Sequence, residues 1–355
     1  MSRGRVLGLV GLLLGGIALA CGGCRRPAVE GTATPQPVAL PNRTVRVLCY
    51  HNLRDKATSL YEASVSDFRA QLSAMRDGGY QTITTRELAD YLSGSRDIPE
   101  KSVLITFDDG YKSVLTVGKP ILDEFGFRAN LFLITDSVGG KGNLTWDDAK
   151  QLAAAGWEVG SHTVAHSNLT KRGKSESAQQ HQDRIVREIG ASYARIEQEL
   201  GVPPAALAYP FGNYDAACMQ ACQEAGYRLA FSIDPGATDQ QSDPWRLPRK
   251  MIVNGTSSRT FARTLETEPL HLADVDPPPG QRIRGSAYAL SARVADADAL
   301  GSLGADAGKK ARLKLDSATS VLTVSTTLSK GANLVRVFSS GTPRRETGWI
   351  VVSDP

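Results

Sequence analysis

Short apolar runs alternate with amphipathic helical stretches between residues 45 and 266, and this alternation constrains the fold more than any other feature of the chain. The run 103–107 has the length and composition of a buried strand. The stretch 177–200 is charged but carries an apolar stripe at helical spacing, formed by Ile185, Ile189, Ile196 and Leu200. Apolar strands that alternate with such helices indicate a parallel sheet, either closed into a barrel or open and doubly wound. The pattern alone does not separate these two architectures.

The same pattern predicts individual elements. Strands are expected at 45–50, 81–84, 103–107, 129–134, 158–161, 206–209, 229–232 and 250–253. Helices are expected near 66–77, 85–93, 114–125, 146–155, 177–200, 215–225 and 258–266. Two helices begin with capping pairs, Thr84 with Glu87 and Thr145 with Asp148, which offer acceptors to free backbone N–H groups. Cys49, within the first strand, is expected to be a small buried apolar residue.

Four side chains with metal or acid–base chemistry follow two of the predicted strands. Asp108 and Asp109 come directly after one apolar run, and His162 and His166 come after another. Two imidazoles and one carboxylate can form a facial site for a divalent metal, which leaves positions open for water and substrate. A second carboxylate beside that metal is where a hydrolase needs its base.

Asp108 and Asp109 cannot both reach one site from a regular strand, because neighbouring residues point to opposite faces. At a strand end followed by Gly110 the backbone can bend and bring both carboxylates together. The carboxyl ends of parallel strands are also where α/β barrels carry their chemistry. The alternative interpretation is a solvated Asp-Asp-Gly turn and two unrelated histidines.

Three runs resemble the motifs of the polysaccharide deacetylases of the NodB-homology family, carbohydrate esterase family 4. Residues 106–110 match the family's T/S-F-D-D-G motif, 162–166 its H-[S/T]-x-x-H motif, and 208–212 its R-P-P-Y-G-like motif in degraded form. The likeness covers roughly residues 45 to 265. It implies a distorted (β/α) barrel that removes N-acetyl groups from glycans with the help of a bound divalent metal.

The resemblance also implies roles for single residues. Asp108 would act as the general base. The metal ligands would be Asp109, His162 and His166. Zinc suits two imidazoles and one carboxylate, although cobalt, nickel or iron also fit such a site.

The wall of the substrate pocket is expected from the third motif. Its residues are Tyr209, Pro210 and Phe211. In the family, the backbone N–H at the position of Phe211 helps the metal to hold the oxyanion of the tetrahedral intermediate. Ala208 departs from the family pattern, since many members have an Arg there that orients the catalytic Asp. Arg246 or Arg249 could supply that charge, and Arg249 is preferred.

The general acid that protonates the departing amine is expected to be a histidine. His51 ends the first predicted strand and would open onto the same barrel face as Asp108. The run 48–51 resembles the poly-β-1,6-N-acetylglucosamine deacetylase branch, in which the acid lies on the N-terminal strand. His51 is therefore preferred and His271 is the second choice. The alternative for His51 is a hydrogen-bonded residue at a strand end.

The N-terminus has the features of a bacterial lipoprotein signal. Arg3 and Arg5 precede an apolar run, and Cys21 follows small residues at the expected cleavage point. A signal peptide over 1–20, lipidation of Cys21 and a flexible tether over 21–44 are predicted. Such a chain is exported and anchored by a lipid to the bacterial envelope, on its periplasmic or outer surface. The alternative is an ordinary signal peptide with an incidental Cys.

The rest of the chain divides into two predicted domains. The deacetylase domain is assigned to 45–268, a Pro-rich linker to 269–284 and an accessory domain to 285–355. In the accessory segment the apolar period becomes two, which predicts a small antiparallel β-sandwich. It contains no catalytic cluster, so a glycan-binding role and a role as spacer or lid both stay open.

The charge of the chain does not favour one class of partner. Its 41 Lys+Arg against 37 Asp+Glu give a formal net charge of +4 without a clustered basic face, so nucleic acid is not expected. The prediction is a metal-dependent deacetylase that acts on an N-acetylglucosamine polymer. The alternatives are an O-deacetylase of acetylated glycans and a non-catalytic glycan-binding lipoprotein. The linkage of the polymer and the oligomeric state stay open.

Overall fold

The computed structural model describes residues 40–354. The predicted signal peptide (1–20), the predicted lipidation at Cys21 and residues 22–39 of the predicted tether lie outside this range. Among the helices of the described range, none combines the length and the apolar character that a membrane span requires.

The described chain up to residue 266 alternates short strands with helices. Its strands are β1 (Val45–Tyr50), β2 (Asn52–Arg54), β3 (Glu62–Ser64), β4 (Gln81–Thr82), β5 (Ser102–Phe107), β6 (Asn130–Leu133), β7 (Glu158–Ser161), β8 (Ala206–Ala208), β9 (Leu229–Phe231) and β10 (Lys250–Met251). Its helices are α1 (Val65–Asp77), α2 (Thr85–Leu92), α3 (Lys119–Glu124), α4 (Trp146–Ala154), α5 (Ala178–Leu200), α6 (Ala216–Ala225) and α7 (Ser258–Glu266). A π-helical turn covers Val114–Gly118, and 3₁₀ turns cover Thr135–Ser137 and Pro210–Gly212.

Local sequence explains where several helices begin and end. Helices α2 and α4 begin with the capping boxes expected at Thr84 and Thr145. Helix α5 begins at Ser177 in the same way. It ends at Gly201, which adopts the left-handed conformation that favours glycine. Ile185, Ile189 and Ile196 of its apolar stripe are buried, and Leu200 is partly buried.

Strand β1 and strands β4 to β10 form one parallel sheet. Its main path runs β10-β1-β5-β6-β7-β8-β9, and β4 pairs with β5. A parallel bridge between Phe231 and Leu247 joins β9 to the segment that leads into β10, so the two edges of the sheet meet. Apolar side chains such as Val47, Leu104 and Phe132 cluster inside. The prediction of a distorted (β/α) barrel is confirmed.

The opposite face of the strands packs against the helices. Ile105 and Phe107 of β5 join Phe68 of α1 and other helical side chains in one buried cluster. Because side chains alternate along a strand, Leu104 points inward where Ile105 points outward. Asp108, which follows β5, therefore falls on the inner face of the barrel.

The chain from residue 268 onward forms two further sheets. Their strands are β11 (Glu268–Pro269), β12 (Leu272–Asp276), β13 (Arg282–Arg284), β14 (Ala287–Val294), β15 (Leu303–Ala307), β16 (Lys309–Asp316), β17 (Val321–Thr327), β18 (Gly331–Ser339) and β19 (Arg345–Asp354). One sheet has the order β11-β19-β18-β15 with β13 also paired to β19, and the other has the order β12-β14-β17-β16. Leu290, Val324 and Val337 belong to the buried core that the sheets share. The predicted small β-sandwich is confirmed. Of its strands within residues 268–354, only β11 and β13 run parallel to their partner.

The segment 269–284 was expected to be a linker, but its residues belong to the sandwich. It contains β12 and β13, which pair with β14 and β19. It also contacts the barrel, because Nη1 of Arg282 lies 2.7 Å from Oδ2 of Asp215. The structure differs from the linker prediction because these short strands gain their hydrogen bonds from partners far along the sequence, which the local Pro-rich pattern does not reveal.

Gly160, within β7, leaves no room for a side chain. A Cβ atom there would lie 2.6 Å from the carbonyl oxygen of Ala206 and 2.6 Å from the Phe132 ring. We expect Gly160→Ala to lower the free energy of unfolding by about 1–3 kcal/mol, the usual cost of overpacking a core. Urea unfolding followed by circular dichroism measures this change.

Gly190→Ala is the matched control for this prediction. A Cβ atom at Gly190, within α5, meets nothing within 4 Å. Alanine is favoured over glycine in a helix by roughly 0.5–1 kcal/mol, so this variant should be at least as stable as the wild type. An equal loss of stability in both variants would contradict the packing argument.

Candidate active site

Side chains from separate strand ends converge on one cluster at the carboxyl end of the barrel. Asp108 follows β5, His162 follows β7 and His51 follows β1. The Oδ2 of Asp108 lies 3.7 Å from Nε2 of His162. A ring nitrogen of His51 lies within 4.8 Å of an Asp108 oxygen. Motifs that are far apart in the chain therefore meet in space.

Arg249 holds Asp108 with two hydrogen bonds. Its Nη1 donates to Oδ1 at 2.7 Å and its Nη2 donates to Oδ2 at 2.8 Å, and both residues are only 2% exposed. The Nε of Arg249 donates to the carbonyl oxygen of Ser232 at 3.0 Å, which fixes the guanidinium. A planar fork of donors suits a carboxylate. The other candidate, Arg246, bonds to Asp243 instead.

Asp108 is ionised at neutral pH although it is buried. Burial disfavours the charged carboxylate, but the charge and hydrogen bonds of Arg249 outweigh this effect and hold the pKa of Asp108 well below its usual range. The attraction is mutual, because Asp108 raises the pKa of Arg249 against the opposing effect of burial. A group placed and charged in this way can accept a proton from a reacting water.

Asp109, His162 and His166 bring three metal-binding atoms together. One ligand atom from each lies within 4.8 Å of the others. The Nδ1 of His162 donates to the carbonyl oxygen of Ala208 at 2.7 Å, so Nε2 of the neutral ring carries the free lone pair. That Nε2 lies 3.1 Å from Nε2 of His166, and Oδ1 of Asp109 lies 3.7 and 3.8 Å from the two nitrogens. This donor set fits a divalent metal.

Burial sets the charges of these three groups. It lowers the pKa of His162 to about 4 and also lowers the pKa of His166, so both rings are neutral at pH 7. The neutral ring is the form that binds metal. Burial, and then the neighbouring charge of Asp108, raise the pKa of Asp109 to about 6. A cation beside Asp109 would stabilise its ionised form.

The backbone of the site is strained at several positions. Positive φ angles occur at Asp109 (70°), Thr163 (67°), His166 (55°) and Phe211 (59°). Among the other described residues apart from glycine, only Asp274 and Ser320 share this conformation. Such strain persists where the surrounding structure enforces it, typically at functional sites. The bend that brings both carboxylates together therefore begins at Asp109 and continues through Gly110.

His51 lies beside Asp108, on the predicted face of the barrel. Its Nδ1 is buried and has no hydrogen-bond partner within residues 40–354. Its ring centroid lies 5.2 Å from that of Tyr61. The strand-end hydrogen bond that formed the alternative interpretation is therefore missing at Nδ1 in the described part of the chain.

Cys49 also belongs to the cluster, although its place in an apolar strand predicts only a small buried residue. It is fully buried, as expected, but its Sγ lies 3.4 Å from Oδ2 of Asp108. The strand pattern shows only which face Cys49 occupies, whereas its neighbour is set by the pairing of β1 with β5. Cys49 alternates with Val47 onto the inner face of β1 and pairs with Thr106 of β5, the second residue before Asp108.

The three residues that are expected to line the pocket differ in the exposure of their side chains. Phe211 is 53% exposed, and its ring centroid lies 4.6 Å from that of His166. The Tyr209 side chain is fully buried and donates from its hydroxyl to the carbonyl oxygen of Trp245 at 2.9 Å. Pro210 is also buried. Of the three residues, only Phe211 therefore has an exposed side chain, and it lies on a backbone with positive φ.

His271, the second choice for the general acid, lies in a different environment. Its Nε2 is 2.9 Å from Oδ2 of Asp239, and its Nδ1 is 3.1 Å from Oδ1 of Asp296. The hydrogen bond to Asp239, supported by Asp296, raises the pKa of His271 to about 9. This ring is held as an imidazolium by two carboxylates that do not belong to the Asp108 cluster.

Comparisons with known proteins agree with this geometry. A sequence profile of the family described as Polysaccharide deacetylase matches residues 95–230. YxkH of Bacillus subtilis (strain 168), named as a polysaccharide deacetylase, is 30% identical over 234 residues, which are 66% of this chain and 78% of YxkH. The poly-β-1,6-N-acetyl-D-glucosamine N-deacetylase of Escherichia coli (strain K12) is 24% identical over 265 residues. That match covers 64% of this chain but only 39% of the length of that relative.

A solved structure supports the same assignment. The Streptococcus pyogenes deacetylase PplD, in complex with acetate, is similar with a TM-score of 0.57 and 25% sequence identity. The match covers 65% of this chain and 99% of PplD. The resemblance inferred from the three motifs and the prediction of an enzyme are both confirmed. The chain belongs to the polysaccharide deacetylase family and is a hydrolase of that family.

Proposed function

We propose that the protein hydrolyses the N-acetyl groups of an N-acetylglucosamine-containing polysaccharide and releases acetate. The observation that carries this proposal is the arrangement around Asp108. An ionised carboxylate, fixed by Arg249, lies beside three converging metal-binding donors. Amide hydrolysis needs a base for the water and an acid for the amine. The name of the Escherichia coli relative supports an N-acetylglucosamine polymer as the substrate.

Asp109, His162 and His166 would hold the divalent ion. Zinc suits two imidazoles and one carboxylate, and cobalt, nickel and iron also fit this donor set. When bound there, the ion would act as a Lewis acid in the hydrolysis. The carbonyl oxygen of Ala208 keeps Nε2 of His162 turned toward the other two ligands.

The protein's own groups divide the proton transfers. Asp108 accepts a proton from the attacking water, and Arg249 keeps its carboxylate in place before the reaction. The backbone N–H of Phe211 donates to the oxyanion that develops on the acetyl oxygen. As the C–N bond breaks, His51 gives a proton to the departing amine, and the acetyl carbon keeps the oxygen of the water.

The location of the protein is inferred from its N-terminal sequence. Arg3 and Arg5, the apolar run that follows them and Cys21 support export and a lipid anchor. The protein would then act on its polymer outside the cytoplasm, on the periplasmic or outer surface of the envelope. The numbers of basic and acidic residues are nearly equal, and this balance does not favour a nucleic acid as a partner.

Asp108→Asn removes the base while keeping the size of the side chain. We expect acetate release from N-acetylglucosamine oligomers to fall by about 10²–10⁴-fold, the usual contribution of acid–base catalysis. The assay uses the full chain, purified in detergent, on β-1,6- and β-1,4-linked oligomers with added zinc. The oligomer from which acetate is released faster identifies the preferred linkage of the substrate.

Asp147→Asn is the matched control, because the Asp147 side chain is 96% exposed. It should release acetate at the wild-type rate. If the wild type releases no acetate from either oligomer, N-acetylglucosamine polymers are rejected as substrates. Release of acetate from O-acetylated glycans alone would favour the O-deacetylase interpretation.

His51→Gln should slow amide hydrolysis more than ester hydrolysis. An amine leaves only after protonation, whereas an aryl oxide leaves without an acid, so about 10²–10⁴-fold should be lost on the amide and much less on the ester. The two rates are measured with one preparation on an N-acetylglucosamine oligomer and on an aryl acetate. Equal losses on both substrates would contradict the role of His51 as the acid.

His162→Ala should weaken zinc binding. Loss of a direct ligand should cost more than the roughly 10–100-fold that loss of a ligand's hydrogen-bonding partner costs. Equilibrium dialysis with zinc, after removal of metal by a chelator, measures the dissociation constant. His271→Gln is the control, since His271 is bonded to Asp239 and Asp296. Unchanged affinity in His162→Ala would reject this ligand set.

A further inference from the structure

A second group of metal-binding donors lies beside the first. One ligand atom each from Cys49, His51 and Asp108 lies within 4.8 Å of the others. Thiolate, imidazole and carboxylate are the three ligand types that proteins use for zinc. The hydrolysis proposed above uses Asp108 and His51 but gives no part to Cys49.

The barrel strands hold these three donors in place. Cys49 pairs with Thr106 across β1 and β5, and its Sγ lies 3.4 Å from Oδ2 of Asp108. His51 follows β1, and its buried Nδ1 has no hydrogen-bond partner within residues 40–354. A buried nitrogen without a partner is rare in folded proteins and calls for a ligand, a proton donor or a water.

We propose that Cys49, His51 and Asp108 form a second, inhibitory site for a thiophilic divalent ion such as zinc or cadmium. Binding breaks the S–H bond of Cys49 and forms a sulfur–metal bond. The proton passes to the solvent, and nothing is oxidised or reduced. The ion then occupies both the carboxylate that serves as base and the imidazole that serves as acid. The inhibition rests on the proposed function, whereas the binding does not.

The charges around this second site make it weaker than the Asp109 site. Arg249 already donates to both oxygens of Asp108, and an ion at the Asp109 site adds a further positive charge. Cys49 is fully buried, so burial opposes the formation of its thiolate. Only ions that bind sulfur strongly offset these costs, which selects zinc and cadmium over harder ions such as magnesium. The second site therefore fills only when metal exceeds the first equivalent.

Cadmium titration of the metal-free full chain in detergent tests the site directly. A cadmium–thiolate bond gives an ultraviolet charge-transfer band. In the wild type this band should grow with the second equivalent of cadmium, together with the release of one proton. In Cys49→Ser, which keeps a hydroxyl donor for Asp108, the second equivalent and the band should both be lost. His51→Gln, which keeps the thiol, should weaken the second binding by roughly tenfold or more.

The other buried thiols provide the control. Cys218 is a free cysteine on α6, and Cys218→Ser should keep the band of the wild type. Removal of the first site by His162→Ala should also keep it. The proposal is overturned if the wild type gives no band at excess cadmium, or if Cys49→Ser keeps the band at full strength.

Acetate release in excess zinc tests the inhibition. The wild type should slow as zinc passes the first equivalent, and Cys49→Ser should resist this loss. Equal inhibition of both would overturn the inhibitory role. If the wild type releases no acetate at any zinc concentration, the proposed function fails, and the cadmium band alone then decides whether the second site exists.

Discussion

The buried ion pair between Arg249 and Asp108 is the interaction on which the rest of the site depends. Burial of a charged group costs desolvation free energy, and the attraction between Arg249 and Asp108 offsets part of that cost. Loss of either partner would leave the other as an uncompensated buried charge. The ion pair also fixes the position of the Asp108 carboxylate. Arg249 lies next to β10 and reaches Asp108 across β1, near the point where a single bridge joins the two edges of the sheet. The Nε of Arg249 donates to the carbonyl oxygen of Ser232, which follows β9, so one side chain links both edges of the sheet and orients the base.

The barrel could be predicted from the sequence because its elements carry local signals. Strands β1 and β7 have the predicted bounds, and the capping pairs at Thr84 and Thr145 mark true helix starts. The segment 269–284 could not be predicted in the same way. Strands β12 and β13 are short, and they become strands only through pairing with β14 and β19. Local pattern predicts an element that is stable by its own periodicity, but it does not predict one that depends on distant partners.

The site was predictable where its residues are neighbours in sequence and follow a strand. Asp108 and His162 were found for this reason. The contact between Arg249 and Asp108 spans 141 residues, and it was inferred only from the charge that the motif lacks at Ala208. Cys49 was missed because alternation shows which face of a strand a residue occupies but not which side chain lies opposite. Tyr209 was expected to line the pocket, but its side chain is buried. A sequence motif shows which residues are neighbours in the chain, and it does not show which of their side chains are exposed.

Asp108 and Asp109 are adjacent and chemically identical, yet the fold gives them opposite electrostatics. Arg249 holds the pKa of Asp108 well below its usual range, while burial and the charge of Asp108 raise the pKa of Asp109 to about 6. Two carboxylates whose pKa values are pushed apart can take different roles. The left-handed backbone at Asp109 (φ 70°) keeps its carboxylate on the same side as that of Asp108, because an extended strand would send the Asp109 side chain to the outer face. The turn at Asp109 thus places its carboxylate near His162 and His166, while Asp108 keeps its hydrogen bonds to Arg249. One bend in the backbone therefore gives two adjacent carboxylates different neighbours and different pKa values.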